Sequence, residues 1–283
     1  MKKRVILLGD ERKPGVRKAV ERVRDAIVDL ADIVAVDLDL TLDLTAIKAD
    51  LVVIFGGDGS ILATARRMGS RPIPAIGVNF GKFGFLTDIR ARDVVADLEL
   101  VLEGKAVVEK RLLLTARITR PEGDLELTAL NEFFLAPPTV GRVVTIEVSL
   151  DDEYATTYRG DGVLVVTPTG STGHSLSAGG PILDPELEAI ILTPVNPHSL
   201  SNRPLVLPPD VEVLLRPEPD HEEPVARLSA DGQVSVELES DVEVRIRRAA
   251  HRFPLVKTGV RGRYDVLRDR LGWSGLPPYR DDE

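Results

Sequence analysis

Five consecutive residues, Gly56-Gly57-Asp58-Gly59-Ser60, stand directly after the apolar run 51–55 and directly before a helical pattern over 61–68. Glycines let a backbone approach a phosphate closely, and the helix start that follows adds unpaired N–H groups and partial positive charge. Gly56, Gly57 and Gly59 therefore suit a phosphate-side loop. Asp58 would repel a polyanion there unless it holds a divalent cation or faces an attacking hydroxyl, the two roles of acids in phosphoryl transfer. The plainer alternative is a tight turn in which Asp58 or Ser60 caps the helix.

Three further segments could carry chemistry. Gly77-Val78-Asn79-Phe80-Gly81-Lys82-Phe83-Gly84-Phe85-Leu86 repeats the strand-then-glycine theme, and Phe83 and Phe85 could wall an aromatic base or fill a core. Asn131-Glu132 interrupts the apolar run 125–135; an amide beside a carboxylate can grip ribose hydroxyls, and an edge strand or bulge would look the same. The longest segment runs from Tyr158-Arg159-Gly160-Asp161-Gly162 through a strand at 163–166. It continues into Thr167-Pro168-Thr169-Gly170-Ser171-Thr172-Gly173-His174-Ser175-Leu176-Ser177-Ala178-Gly179-Gly180. So many small hydroxylated residues and glycines at a strand-to-helix junction make a low, hydrogen-bonding surface on which a nucleotide can lie. His174, His198, His221 and His251 lack zinc-site spacing and default to surface or packing roles, and only His174 lies inside a motif.

These residues need elements to position them. The apolar run 4–8 ends at Gly9, and Val16, Val20, Val23, Ile27 and Leu30 then mark one helix face. Short β-branched runs at 33–36, 51–55 and 73–78 extend the alternation, predicting an α/β domain over 1–92 with ligands at the carboxyl ends of its strands. After a helical stretch at 93–102, period-two alternation takes over at 107–119, 125–135, 143–150 and 163–167. It continues at 204–207, 211–215 and 227–238, with turns at Pro121-Glu122-Gly123-Asp124 and Asp151-Asp152 and a hairpin centre at Asp231-Gly232. Pro217, Pro219 and Pro224 suggest a loop. A β-rich domain over 93–258 is expected, then a helical tail (259–283, patterned from Tyr264 to Trp273) returning to the first domain.

Composition narrows the function. A chain of 283 residues buries roughly three quarters of its unfolded surface, and 43% apolar with 29% charged residues is ordinary for a globular protein. Without cysteine, thiolate catalysis, disulfides and cysteine-ligated zinc are excluded, so any metal must sit on oxygen or imidazole. The 36 basic against 45 acidic residues give a formal charge of -9, which argues against a general nucleic-acid binder. Apolar runs fall far short of the roughly 20 residues a membrane span needs, and Met1-Lys2-Lys3-Arg4 leads straight into a strand, so a cytoplasmic protein without a signal peptide is expected.

With these segments in order, the chain resembles the NAD kinase family along nearly its whole length. Gly56-Gly57-Asp58-Gly59, Asn131-Glu132, Gly160-Asp161-Gly162 and Thr167-Pro168-Thr169-Gly170-Ser171-Thr172 follow one another as that family's motifs do. So do Pro197-His198-Ser199-Leu200-Ser201-Asn202-Arg203-Pro204 and Asp231-Gly232-Gln233. The resemblance implies an α/β N-terminal domain, a β-rich C-terminal domain, a site in the cleft between them and a homo-oligomer, dimer or tetramer. It also implies a divalent metal, Mg²⁺ being the expected ion, and phosphoryl transfer from ATP or polyphosphate to the 2′-hydroxyl of the adenosine ribose of NAD. Carried over by motif, Asp58 is the proton acceptor, Gly59 belongs to the phosphate-side loop and Phe85 packs beside a base. Asn131 and Glu132 hold ribose hydroxyls. Arg142, Arg159, Asp161, Thr169, Thr172, Gly173, His174, Ser175, Leu176 and Ser177 line the dinucleotide, with Gln233 nearby.

The chain departs from the family's pattern in three places. Ala63 stands where a basic residue is common, which moves the expected phosphate contact to Arg66 or Arg67. Gly173-His174 replaces Ala-Tyr, and Asn196 replaces a frequent cysteine. Diacylglycerol-type kinases and phosphofructokinases share Gly-Gly-Asp-Gly, but are not expected to combine it with Asn131-Glu132 and the 167–177 run. A non-catalytic NAD(P) sensor has no need of Asp58 beside phosphates.

Overall fold

The segments Leu51–Phe55 and Ala75–Asn79 carry no charged residue, a composition suited to strands covered on both faces, and every residue in them is buried. The computed structural model describes residues 2–80, 84–87, 89–120, 123–139, 141–219, 224–259 and 262–272. The chain divides into two units, one of Met1–Ile61, Ile73–Glu109 and Leu255–Glu283, the other of Leu62–Pro72 and Lys110–Pro254.

In the first unit, β1 (Lys3–Gly9), β2 (Ala31–Asp37), β3 (Leu51–Phe55), β4 (Ala75–Asn79), β5 (Ile89–Arg90), β6 (Val107–Arg111) and β19 (Phe253–Lys257) share a sheet. Its order is β2-β1-β3-β4-β19-β6, with β5 beside β4. The pairs β1–β2, β1–β3, β3–β4, β4–β5 and β4–β19 are parallel. Helices α1 (Val16–Ile27) and α3 (Val94–Leu102) bury Val16, Val20, Val23, Ile27, Val94, Leu98 and Val101 against Val5, Leu7, Val53 and Phe55. Because α3 shares this core, the first unit runs on to Glu109 rather than stopping near residue 92. The return to it is made by β19 as well as by α5 (Arg263–Leu271); Trp273 lies outside the described residues. Helix α2 (Asp58–Arg67) starts in the first unit, and its residues from Leu62 cluster with the second.

The second unit is an antiparallel sandwich. One sheet, ordered β11-β10-β15-β18-β7-β8, contains β7 (Leu114–Thr119), β8 (Leu125–Ala129), β10 (Val144–Leu150), β11 (Glu153–Gly160), β15 (Val213–Pro217) and β18 (Glu243–Arg248). The other, ordered β14-β13-β12-β9-β16-β17, contains β9 (Glu132–Ala136), β12 (Gly162–Val166), β13 (Ile190–Val195), β14 (Leu205–Leu207), β16 (Ala226–Ala230) and β17 (Val234–Leu238). Alternate residues of both sheets, among them Ala116, Ile146, Leu215, Phe133, Leu135, Val163 and Val165, form one core. The opposite residues of the second sheet, Phe134, Leu164, Val166 and Ile191, pack with Ala178 and Leu183. A short 3₁₀ turn at Thr169–Thr172 and the one-turn helix α4 (His174–Ser177) therefore lie on the outer face of that sheet.

The expected runs 107–119 and 125–135 each split in two, the first at Leu112-Leu113 and the second at Leu130-Asn131. Pro217, expected in a loop, ends β15, and β18 was not marked by the sequence pattern. Asp231 and Gly232 sit at φ 51° and 63°, the double left-handed conformation of a tight hairpin. Gly162 has φ 142°, and a Cβ there would lie 2.3 Å from the Leu135 carbonyl oxygen of the paired strand. Gly162→Ala should destabilise the protein by roughly 2 kcal/mol or more. Urea unfolding measures this, and an unchanged midpoint would show that the backbone relaxes around the added methyl.

Candidate active site

In the first unit the glycine loop follows the end of β3, and its tightness is steric: a Cβ on Gly56 would meet Ser60 Oγ at 2.1 Å. Asp58 does not act as a simple helix cap. Its Oδ2 accepts from the Phe85 amide at 2.8 Å, and its Oδ1 accepts from the amides of Leu86 and Thr87 at 3.2 Å each and from Thr87 Oγ1 at 3.4 Å. A side chain on Gly84 would collide with the carboxylate, with Oδ1 only 1.7 Å from its Cβ. Thr87 Oγ1 also accepts from Asn79 Nδ2 at 3.1 Å and the Gly84 amide at 3.0 Å, while Lys257 Nζ donates to the carbonyls of Phe85 and Leu86. Phe85 is half-buried; Gly81, Lys82 and Phe83 lie outside the described residues. Lys13, from the turn after β1, places Nζ 3.3 Å from Ser60 Oγ and brings a cation to the loop.

In the second unit the break between β8 and β9 sets the site. The Asn131 carbonyl accepts from the Thr167 amide at 2.8 Å, Thr167 Oγ1 donates to the Leu130 carbonyl at 2.6 Å, and a Cβ on Gly170 would lie 2.3 Å from the Asn131 oxygen. Backbone and loop are thus pressed together. Glu132 is buried beside them, and Gly173 stands where a Cβ would be 3.7 Å from Asn131 Nδ2 and 3.8 Å from Glu132 Oε2. Three buried polar atoms here, Asn131 Oδ1, Glu132 Oε2 and Thr169 Oγ1, have no partner among the described residues. Each such atom costs about 1–3 kcal/mol when left unpaired. Burial, and then the nearby Asp231 carboxylate, push the Glu132 carboxyl up to about 8.

The remaining hydroxyls differ in use. Ser175 Oγ is buried and bonded to Thr193 Oγ1 at 2.9 Å, and Ser171 Oγ donates to the Pro168 carbonyl at 2.6 Å, so both hold the loop. Thr172 and Leu176 are half-buried and Ser177 is exposed. The exposed His174 ring lies edge-on to Phe134, centroids 4.9 Å apart, and burial of part of the ring lowers its pKa, favouring neutral imidazole.

Residues 9–106 match the model of the ATP-NAD kinase N-terminal domain, and residues 130–258 that of the ATP-NAD kinase C-terminal domain. The chain belongs to the NAD kinase family. The NAD kinase of Nitrosospira multiformis is 37% identical over 291 residues, spanning 96% of each chain, and that of Citrifermentans bemidjiense is 42% identical over 230, spanning 81% of this chain and 80% of its own. An Archaeoglobus fulgidus NAD kinase solved in complex with ATP superposes with TM-score 0.77 at 27% identity, covering 95% of this chain and 97% of its own. Yeast NADH kinase complexed with NADH shares the fold with TM-score 0.88 at 22% identity, covering 98% and 89%. This member of the family is a phosphotransferase, and both halves of the NAD kinase fold are present in it.

Against the sequence expectations, the structure brings Asn131, Glu132, Thr169 and Gly173 together and sets His174 on the neighbouring Phe134. Arg142 precedes β10, and Arg159 lies on β11; both are exposed and belong to the other sheet of the sandwich. Asp161, at the crossing from β11 to β12, accepts from Asn196 Nδ2 at 2.7 Å. Arg66, expected on a phosphate, pairs with Asp231 at 2.8 Å and donates to Gln233 Oε1; Arg67, beside it, is half-buried. Sequence reasoning missed Lys13, whose signal was its place in a turn after a buried parallel strand, and the Asp231 side chain, hidden behind an ordinary hairpin signal.

Glu132 yields a test by pH. The folded state keeps a proton that the unfolded chain releases near 4.5, so the associated stability is full below that value and is lost as pH rises toward about 8. Wild type should therefore weaken, by on the order of a few kcal/mol, between about pH 5 and pH 8, and Glu132→Gln should flatten that slope. Denaturant unfolding at the two pH values checks this; equal slopes would show that Glu132 does not carry the linkage.

Proposed function

We propose that Asn131, Glu132 and Thr169 hold ribose hydroxyls of NAD while Asp58 accepts the proton of the 2′-hydroxyl as it attacks the terminal phosphoryl group of ATP or polyphosphate. The observation that carries this reading is the group of three buried, unpartnered polar atoms beside the glycine-walled loop. A protonated Glu132 can both donate and accept, which suits a hydroxyl that does both.

Asp58 fits its part through the uneven use of its oxygens. Among the described residues, Oδ1 takes three donors and Oδ2 only the Phe85 amide, leaving Oδ2 a lone pair for the incoming hydroxyl. Its placement matters more than its basicity, since the transition state is loose and the proton leaves late. Gly56, Gly57 and Gly59 approach the donor phosphates, with Lys13 and Arg67 as cations; Arg66 is committed to Asp231. Phe85, Arg142, Arg159, Asp161, Thr172, His174, Leu176, Ser177 and Gln233 remain assigned to the dinucleotide.

Among the described residues, no group of three or more His, Asp or Glu could hold a metal ion. This donor set fits Mg²⁺ carried by the phosphates, which needs few protein oxygens and offsets charge on the transferred group. The reading includes a homo-oligomer, testable by sedimentation, and a cytoplasmic setting; among the described residues no helix is long and apolar enough to cross a membrane.

Purified protein given NAD, Mg²⁺ and either ATP or polyphosphate should form NADP, and the two incubations identify the donor. Asp58→Asn should lower turnover by roughly 10²-fold or more with little change in NAD binding. Because an amide NH₂ cannot accept the N–H groups of 85–87, the same change should cost about 1–3 kcal/mol of stability. Near-normal turnover together with that stability loss would leave Asp58 a purely structural clamp.

His174→Ala should raise the KM for NAD by roughly tenfold or more, the scale of 1–3 kcal/mol for truncating an aromatic partner of a base. Turnover should be nearly unchanged, since the contact is remote from the transferred phosphoryl. A wild-type KM would show that His174 rests on Phe134 alone.

A further inference from the structure

We propose that Asp231, braced by Arg66, is a positioning residue for the kinase reaction: it holds the backbone that aims Asn131 and Glu132 at the dinucleotide. This rests on the ribose-binding role given to those two residues.

An Asp-Gly pair at a tight hairpin ordinarily leaves its carboxylate in water. Here the Asp231 side chain is fully buried and reaches across to the break between β8 and β9. Its Oδ1 accepts from the amides of Asn131 at 2.8 Å and Glu132 at 3.3 Å, and its Oδ2 from the Leu130 amide at 3.2 Å and Arg66 Nη1 at 2.8 Å. The Asp231 amide in turn donates to the Glu132 carbonyl at 2.9 Å. An ordinary ladder would not leave three successive amides for one side chain; the strand break does, and an acceptor-only group satisfies them. Arg66, its side chain 14% exposed, balances the buried charge and also grips Gln233 Oε1, so one guanidinium secures both sides of the hairpin tip. With Thr167 and Gly170 against the Asn131 carbonyl from the other side, the 130–132 backbone is held from two directions. Asp231 itself makes none of the proposed substrate contacts. It acts through Asn131 and Glu132.

The test uses the whole chain with NAD and ATP, reading the KM for NAD, kcat and the unfolding temperature. Variants are Asp231→Asn, Arg66→Lys, Glu132→Gln and the Asp231→Asn/Glu132→Gln double. Asp231→Asn is expected to raise KM about tenfold while kcat at saturating NAD stays within about threefold, and Arg66→Lys to move KM the same way by less. In the double variant the rise should fall well short of the product of the single effects, because both act through one contact. Wild-type KM in folded Asp231→Asn and Arg66→Lys, whatever their unfolding temperatures, would overturn the proposal, as would simple multiplication in the double. Should Asp231→Asn fail to fold, Arg66→Lys combined with Glu132→Gln decides in the same way. An unaltered KM in Glu132→Gln would overturn the ribose-binding reading and the proposal with it, whereas a raised KM there with wild-type values at Asp231 and Arg66 removes only the positioning role.

Discussion

Backbone amides buried away from water must find acceptors, and in each unit one aspartate supplies them for three residues in a row. Asp58 takes the amides of Phe85, Leu86 and Thr87; Asp231 takes those of Leu130, Asn131 and Glu132. Residues 85–87, 130 and 131 lie outside regular strands and Glu132 only opens β9, so without the carboxylate each segment would carry several unsatisfied donors at about 1–3 kcal/mol apiece. A glycine completes each arrangement by allowing close approach, Gly84 at Asp58 and Gly170 at Asn131.

The two aspartates differ in how their charge is balanced. Asp231 has a guanidinium at 2.8 Å and no exposure, and burial still drives its carboxyl above the usual range against the pull of the amides and Arg66. Its neighbour Glu132 has no ion pair among the described residues, and burial, then the Asp231 carboxylate, push its carboxyl up to about 8. Two acids in one buried corner thus have separate surroundings: Asp231 organises backbone beside a guanidinium, and Glu132 keeps a proton it can donate. The charges on the outer face of the first sandwich sheet, such as Arg216 with Glu147 and Glu243, are half-exposed and contribute little by comparison.

Much of the fold was legible because its signals are local. The run 51–55 matches β3, the periodicity from Val16 to Ile27 marks α1 while Leu30, expected on the same face, lies beyond the helix and is exposed, and Asp231-Gly232 centres the β16–β17 hairpin. What was not legible depended on tertiary placement. Nothing in the pattern at 125–135 says that Leu130 leaves the ladder because a side chain about a hundred residues later claims its amide. Nor does Arg66, one helical turn beyond the glycine loop, show in sequence that its charge is spent on Asp231. The glycine and hydroxyl run announced a surface, but all three hydroxyls are buried, and only their hydrogen bonds separate Ser171 and Ser175, which brace it, from Thr169, whose hydroxyl has no partner among the described residues.

Strand β9 carries two alphabets in one five-residue word. Phe133 and Leu135 are letters of the sandwich core, while Glu132 and Phe134 belong to the outer face with Asn131 just before them. A one-residue slip in pairing would exchange the sets, sending a carboxyl into hydrocarbon and a phenyl ring to the place that Glu132 holds. Selection for a well-filled interior therefore also proofreads the outer face beside Asn131, since no frame of this strand can spoil one without spoiling the other. Freedom to vary is left to positions outside that frame, and His174, seated on Phe134 from a separate loop, occupies one of them.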